Sequence, residues 1–207
     1  MSTWISKALG QILLLSFLAA CSGLNDAAVT RATVAGGAVT LAAPRGYCVD
    51  ASALRDGTRG AFALFGSCAA LAPGPFAPEP KPLAVLSAAV SAPRAGAVPA
   101  LEGSADRMKA FLTSSAGRRA LSRDNDAESV RILRTRFEDG VFYIRLRDTG
   151  TTVGPRVAPE YWRALLDIDQ RMVTLSVLAL EDAPLDEAAG EAVIRGFVAS
   201  VRAANRR

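Results

Sequence analysis

The chain has 207 residues, half of them apolar, which suits one domain with a substantial core and leaves too little for two large ones. Its formal net charge is only +4, from 24 basic and 20 acidic side chains, so it lacks the concentrated positive field of a nucleic-acid binder. Histidine is absent, which excludes Ser-His-Asp and Cys-His catalysis, histidine-containing zinc sites and the commonest general base.

At the N-terminus, Lys7 and the free amine precede an apolar stretch from Ala8 to Ala20 that includes Ile12, Leu13, Leu14 and Leu15. A membrane-spanning helix needs about 20 apolar residues, whereas a secretory leader needs about 7 to 15, so the length favours a leader. The stretch closes on Leu18-Ala19-Ala20-Cys21, which resembles the lipobox of bacterial lipoproteins, where small residues precede an obligatory cysteine. The resemblance covers only the leader. It implies cleavage before Cys21, a diacylglyceryl group on that thiol and, in many bacteria, acylation of the new amine. Residues 1–20 are then a signal peptide, and the chain is held to a membrane through lipid on Cys21. Each buried CH₂ contributes about 0.8 kcal/mol, so several acyl chains anchor stably where one binds only marginally. Ser22 follows the cysteine where aspartate signals inner-membrane retention in many Gram-negative lipoproteins. By the same resemblance, the protein belongs to the outer membrane and faces the periplasm. The alternative is an ordinary leader with an incidental cysteine.

With Cys21 acylated, Cys48 and Cys68 remain as an even pair in a compartment where disulfides form, and they are expected to join. Two buried free thiols are the other possibility, since free cysteine packs as a small hydrophobe. Residues 21–37 are rich in Ser, Ala, Thr, Gly and Asn without periodicity, which predicts a flexible tether before a single domain over 38–207.

Ala38 to Ala43 reads as the first strand, stopped by Pro44 and turned by Arg45-Gly46. Ala61 to Gly66 forms a second apolar run leading into Cys68. The segment from Pro73 to Pro82 carries too many prolines for a helix or a central strand, and reads as an extended surface connector or a polyproline ligand. Leu83 to Ser91 offers another buried strand. A helix is expected from Ser104, with Met108 and Leu112 on its inner face and Gly117 at its end.

Asp139-Gly140 is a two-residue hairpin turn between β-rich flanks. The register it sets opposes Phe137 to Phe142, Thr135 to Ile144 and Leu133 to Leu146 on one face. The other face collects Arg134, Arg136, Tyr143, Arg145 and Arg147. A second hairpin, from Glu160 to Leu180, turns near Asp169-Gln170 and places Trp162, Ala164, Leu166, Val173, Leu175 and Val177 together. These four strands are expected at the centre of the sheet. A last helix runs from Leu185 to Ala204 with an apolar stripe of Val193, Ile194, Phe197, Val198 and Val201, while Glu191 and Arg195 sit on its wetter side.

The order predicts an α+β fold: an antiparallel sheet with a mid-chain helix and a C-terminal helix packed on it, and one disulfide. It resembles the PsbP-type fold of small extracytoplasmic proteins, a resemblance of topology that carries over no functional residue.

Chemistry-bearing motifs are sparse. Two cysteines beyond Cys21 supply no zinc tetrad and no all-thiolate cluster, and Walker, Ser-x-x-Lys and Gly-x-Gly-x-x-Gly patterns are missing. Neither a catalytic residue, a metal ligand nor a cofactor is assigned. Glu138-Asp139, Asp167-Asp169 and Glu181-Asp182 are carboxylate pairs, each simply read as a turn or helix start. Asp124, Asp126 and Glu128 alternate like a calcium loop but continue with Ser129 and Thr135 where glycine and glutamate belong, favouring a solvated turn.

The arginine face is the candidate site. Four guanidinium groups on neighbouring strands need water, carboxylates from elsewhere in the fold, or an anionic partner such as lipid headgroups, cell-wall polymer or an acidic envelope protein. The function expected is a non-enzymatic, lipid-anchored envelope protein serving interaction or assembly. The alternative is a periplasmic hydrolase or a small anionic-ligand binder using carboxylates and arginines.

Overall fold

A computed structural model describes residues 29–94, 101–150 and 156–206. The expectations for the leader, Cys21 and the first part of the tether lie outside the described residues.

Period-two alternation of apolar and polar side chains produces nine strands. They are β1 (Arg31–Val34), β2 (Val39–Ala42), β3 (Tyr47–Gly57), β4 (Gly60–Ser67), β5 (Val85–Ser91), β6 (Val130–Glu138), β7 (Val141–Asp148), β8 (Val157–Ile168) and β9 (Arg171–Leu180). The helices are α1 (Cys68–Leu71), α2 (Ala105–Thr113), α3 (Ser115–Leu121) and α4 (Glu187–Ala204). β3 to β9 form one antiparallel sheet in the order β3-β4-β5-β9-β8-β7-β6, and β1 pairs with β2 in a separate ribbon. The fold is α+β, and Cys48 is joined to Cys68 with Cα atoms 4.9 Å apart.

Both faces of the sheet are covered, by different layers. Val141 and Tyr143 of β7 join Trp162, Ala164, Leu166, Val173, Leu175 and Val177 in a core closed by Ile194, Phe197, Val198 and Val201 of α4 and by the β1–β2 ribbon. The intervening residues of β7, Phe142, Ile144 and Leu146, point the other way, toward Leu112 of α2 and Leu121 of α3. The two expected helices therefore clasp the sheet from opposite sides. α4 is capped by Asp186, whose carboxylate accepts from Ala189 N, so it starts just beyond the expected Leu185.

Four expectations are corrected. The tether expected over 21–37 ends by Arg31, because Ala32 and Val34 alternate into the core and residues 35–37 reverse the chain with positive φ. The single helix expected from Ser104 is broken at Ser114, whose hydroxyl caps the next helix at Gly117 N; Gly117 lies inside α3, pressed against the Phe111 backbone. Leu133 does not face Leu146: Ile132 does, and the register slips between Ile132 and Arg134, leaving Leu133 38% exposed. Finally, the Asp139-Gly140 hairpin lies at one margin of the sheet, whose centre is β5, β9 and β8, because the β4–β5 pair adds onto β9.

Candidate functional site

The Asp139-Gly140 turn has φ of 49° and 70° at its two residues, the twist that a two-residue hairpin loop requires. It fixes Arg136 opposite Tyr143 and Arg134 opposite Arg145 on the face toward α4. α4 answers with two carboxylates and a guanidinium: Glu187, Glu191 and Arg195 follow one another at four-residue spacing along one side of the helix.

The result is an ion-pair network between sheet and helix. Arg134 meets Glu187 at 2.7 Å, and Arg145 bridges Glu187 and Glu160, the latter at 2.8 Å. Arg136 reaches Glu191 at 3.1 Å, and Arg195 joins Glu191 at 3.0 Å and Glu138 at 2.8 Å. The Arg195 guanidinium also lies 4.9 Å from the Tyr143 ring centre, covering a tyrosine that is nearly buried. Hydrogen bonding to Arg195 holds the Glu138 carboxyl below its ordinary range, and burial raises the Tyr143 phenol.

Carboxylates of the fold thus engage Arg134, Arg136 and Arg145, the intramolecular outcome among the three open in the sequence. Arg147 differs: it is exposed, stands opposite the exposed Arg131, and neither side chain has an ion pair or hydrogen bond among the described residues. Glu160, in register with Arg147, is engaged by Arg145. Like charges directly opposed on adjacent strands repel, and no carboxylate among the described residues offsets this pair.

The other acidic groups serve the backbone. The Asp124 carboxyl, held below its usual range chiefly by the Ser122 hydroxyl, also accepts from Asp126 N, and Glu128 pairs with Arg118 at the surface. Asp167 holds Arg94 and the Leu101 amide. Among the described residues, no three acidic or sulfur ligands gather as a metal site. Asp148, almost wholly buried, accepts from Arg123 N, Ser129 Oγ and Gly150 N.

A separate open cavity of about 350 Å³ lies beside β3, lined by Val29, Arg31, Thr33, Asp50, Ser52 and Leu71 among others. Its acid, Asp50, accepts from the Ser52 amide and hydroxyl. The reading from sequence did not find this cavity, which arises where β3 slips register between Asp50 and Arg55. It also missed Tyr161, whose ring lies 5.0 Å from the Arg123 guanidinium and 5.3 Å from that of Arg163.

Together these features define an antiparallel-sheet α+β protein clasped by helices, with an arginine face neutralised from within at Arg134, Arg136 and Arg145. Comparison with known protein families and with curated proteins finds no match. Among solved structures, the arrangement is similar to the solution structure of cyanobacterial PsbP (CyanoP) from Synechocystis sp. PCC 6803. That similarity has 14% identity over 88% of this chain and 96% of the other, with a TM-score of 0.40. It is a likeness of overall arrangement.

Proposed function

We propose that the protein is a lipid-anchored envelope protein, held to the outer membrane through Cys21 and facing the periplasm. Its domain acts as an interaction or assembly module. The anchor reading is supported by the leader and its Leu18-Ala19-Ala20-Cys21 end. The interaction reading is carried by the Arg131–Arg147 pair, two opposed exposed guanidinium groups at the margin of an otherwise neutralised face. An anionic partner, whether an acidic envelope protein, lipid headgroups or cell-wall polymer, supplies the charge that the fold withholds there.

The test uses the exported Cys21→Ser chain, which lacks the acyl attachment point, and measures its retention on isolated envelope over a salt series. Salt-sensitive retention that is lost in the Arg131→Gln/Arg147→Gln double variant is the expected result. Retention indifferent to both salt and the substitutions would contradict it.

A further inference from the structure

The described chain enters the fold at Val29, whose carbonyl accepts from Val49 N of the edge strand β3 at 2.7 Å. Cys21 lies eight residues earlier, and eight residues span at most about 28 Å. A lipid on Cys21 therefore keeps this end of the domain within one short reach of the bilayer. The proline-rich loop over 72–84 is at the same end, since Val29, Arg31, Leu71 and Ala72 line one cavity.

The loop is stiff and firmly based. Pro73, Pro75, Pro78, Pro80 and Pro82 restrict its backbone. The disulfide holds Cys68, the first residue of the α1 helix that leads into the loop, Tyr47 Oη donates to the Pro82 carbonyl at 2.8 Å, and Gly46 lies so close to Pro80 that a Cβ at 46 would stand 2.7 Å from its Cα. At the far end of this scaffold Phe76 is 94% exposed, the most exposed large apolar side chain among the described residues. Leu71 and Val29, which line the cavity at the base of the loop, are also exposed. Three basic side chains, Arg31, Arg45 and Lys81, are exposed in the same region with no charged partner among the described residues; Glu79 is the exposed acid of the loop.

A single exposed apolar side chain is ordinary on a protein surface. A proline-stiffened loop that exposes a phenylalanine and has basic groups near its base, at the same end as the chain's link to Cys21, has the composition that settles at a membrane interface. There the ring enters the headgroup boundary and the cations meet anionic lipid.

We infer that the tip of the 72–84 loop, through Phe76, inserts into the interface of the bilayer to which Cys21 is anchored. This second contact, which rests on the lipid-anchor reading, fixes the orientation of the domain on the membrane. The occupant is the lipid interface itself, favoured over a protein partner by the short chain between Val29 and Cys21.

The test uses the full chain, purified from bacterial membranes with its intact mass recorded, carrying Phe76→Trp. It is reconstituted into vesicles of phosphatidylethanolamine and phosphatidylglycerol with or without brominated acyl chains. The unsubstituted protein, with Trp162 buried in the core, supplies the background to subtract. The inference expects emission from position 76 to shift to shorter wavelength and to lose at least about half its intensity on brominated lipid, as interfacial aromatic side chains do. Water-like, unquenched emission from an acylated protein overturns the inference and leaves the anchor standing. Emission that shifts only on adding envelope proteins assigns the tip to a protein and also overturns it. A mass without acyl groups overturns the anchor reading and this inference together.

Discussion

Gly190 of α4 rests on the edge of the Trp162 indole, so close that a Cβ at 190 would stand 2.8 Å from Cδ1 of that ring. Glycine at this point lets the helix approach the sheet near enough for Glu187 and Glu191 to reach the arginines of β6 and β7. Gly190→Ala gains about 1 kcal/mol of helix propensity but overpacks a buried ring, at a cost of about 1–3 kcal/mol. A net loss of stability in urea denaturation is the expected outcome, accompanied by a weakened Arg145–Glu187 contact. A midpoint at or above that of the parent would place the helix crossing elsewhere.

The arginine network divides into members that stabilise and members that do not. Arg145, whose side chain is 23% exposed, bonds both Glu160 and Glu187. Arg145→Gln is expected to cost about 1–2 kcal/mol, discounted for partial solvent screening. Arg147→Gln, with no side-chain partner to lose among the described residues, should fall within about 0.5 kcal/mol of the parent. Denaturant midpoints of the two variants, measured side by side, check the division; equal losses would refute it.

The disulfide closes a 20-residue separation and ties the base of the proline-rich loop to β3. By the chain-entropy argument its reduction should lower stability by about 3 kcal/mol. Unfolding with and without reductant measures this. An unchanged transition would mean that β3, β4 and α1 hold their positions without the cross-link.

Tyr47 gives the fold an alkaline limit. Burial pushes its phenol up to about 12, against an ordinary value near 10. The folded state thus keeps a proton that the unfolded chain releases. The stabilisation is complete below pH about 10 and disappears as pH rises toward about 12. Tyr47→Phe should flatten that alkaline decline while losing about 1 kcal/mol at neutral pH with the bond to the Pro82 carbonyl. Stability curves of both proteins over pH test the sign; identical alkaline slopes would contradict it.

The hairpins were legible because their information is local. Asp139-Gly140 and Asp169-Gln170 each adopt positive φ at both turn positions, and alternation on either side assigns Phe142 and Tyr143, or Trp162 and Leu165, to opposite faces. What stayed hidden depends on distant partners. The ribbon strand Arg31–Val34 is short and built mainly of small residues, so only its contact with the core reveals it. The bulge at Leu133 interrupts a register that a turn sets only nearby. Glu187, Glu191 and Arg195 carried a readable four-residue spacing, yet nothing local shows that α4 crosses the arginine side of the sheet. The cavity beside β3 and the setting of Phe76 likewise arise from β1, β3 and the proline loop meeting, which no single segment encodes.

Lipid on Cys21 is the claim on which the functional account turns, and the intact mass of the full chain, expressed in a bacterium and purified from its membrane fraction, tests it most directly. The account predicts the mass of residues 21–207 plus a diacylglyceryl group, with or without an amide-linked acyl chain, less two hydrogens for the Cys48–Cys68 bond. A chain that keeps its first 20 residues, or begins at Cys21 without lipid, would contradict it.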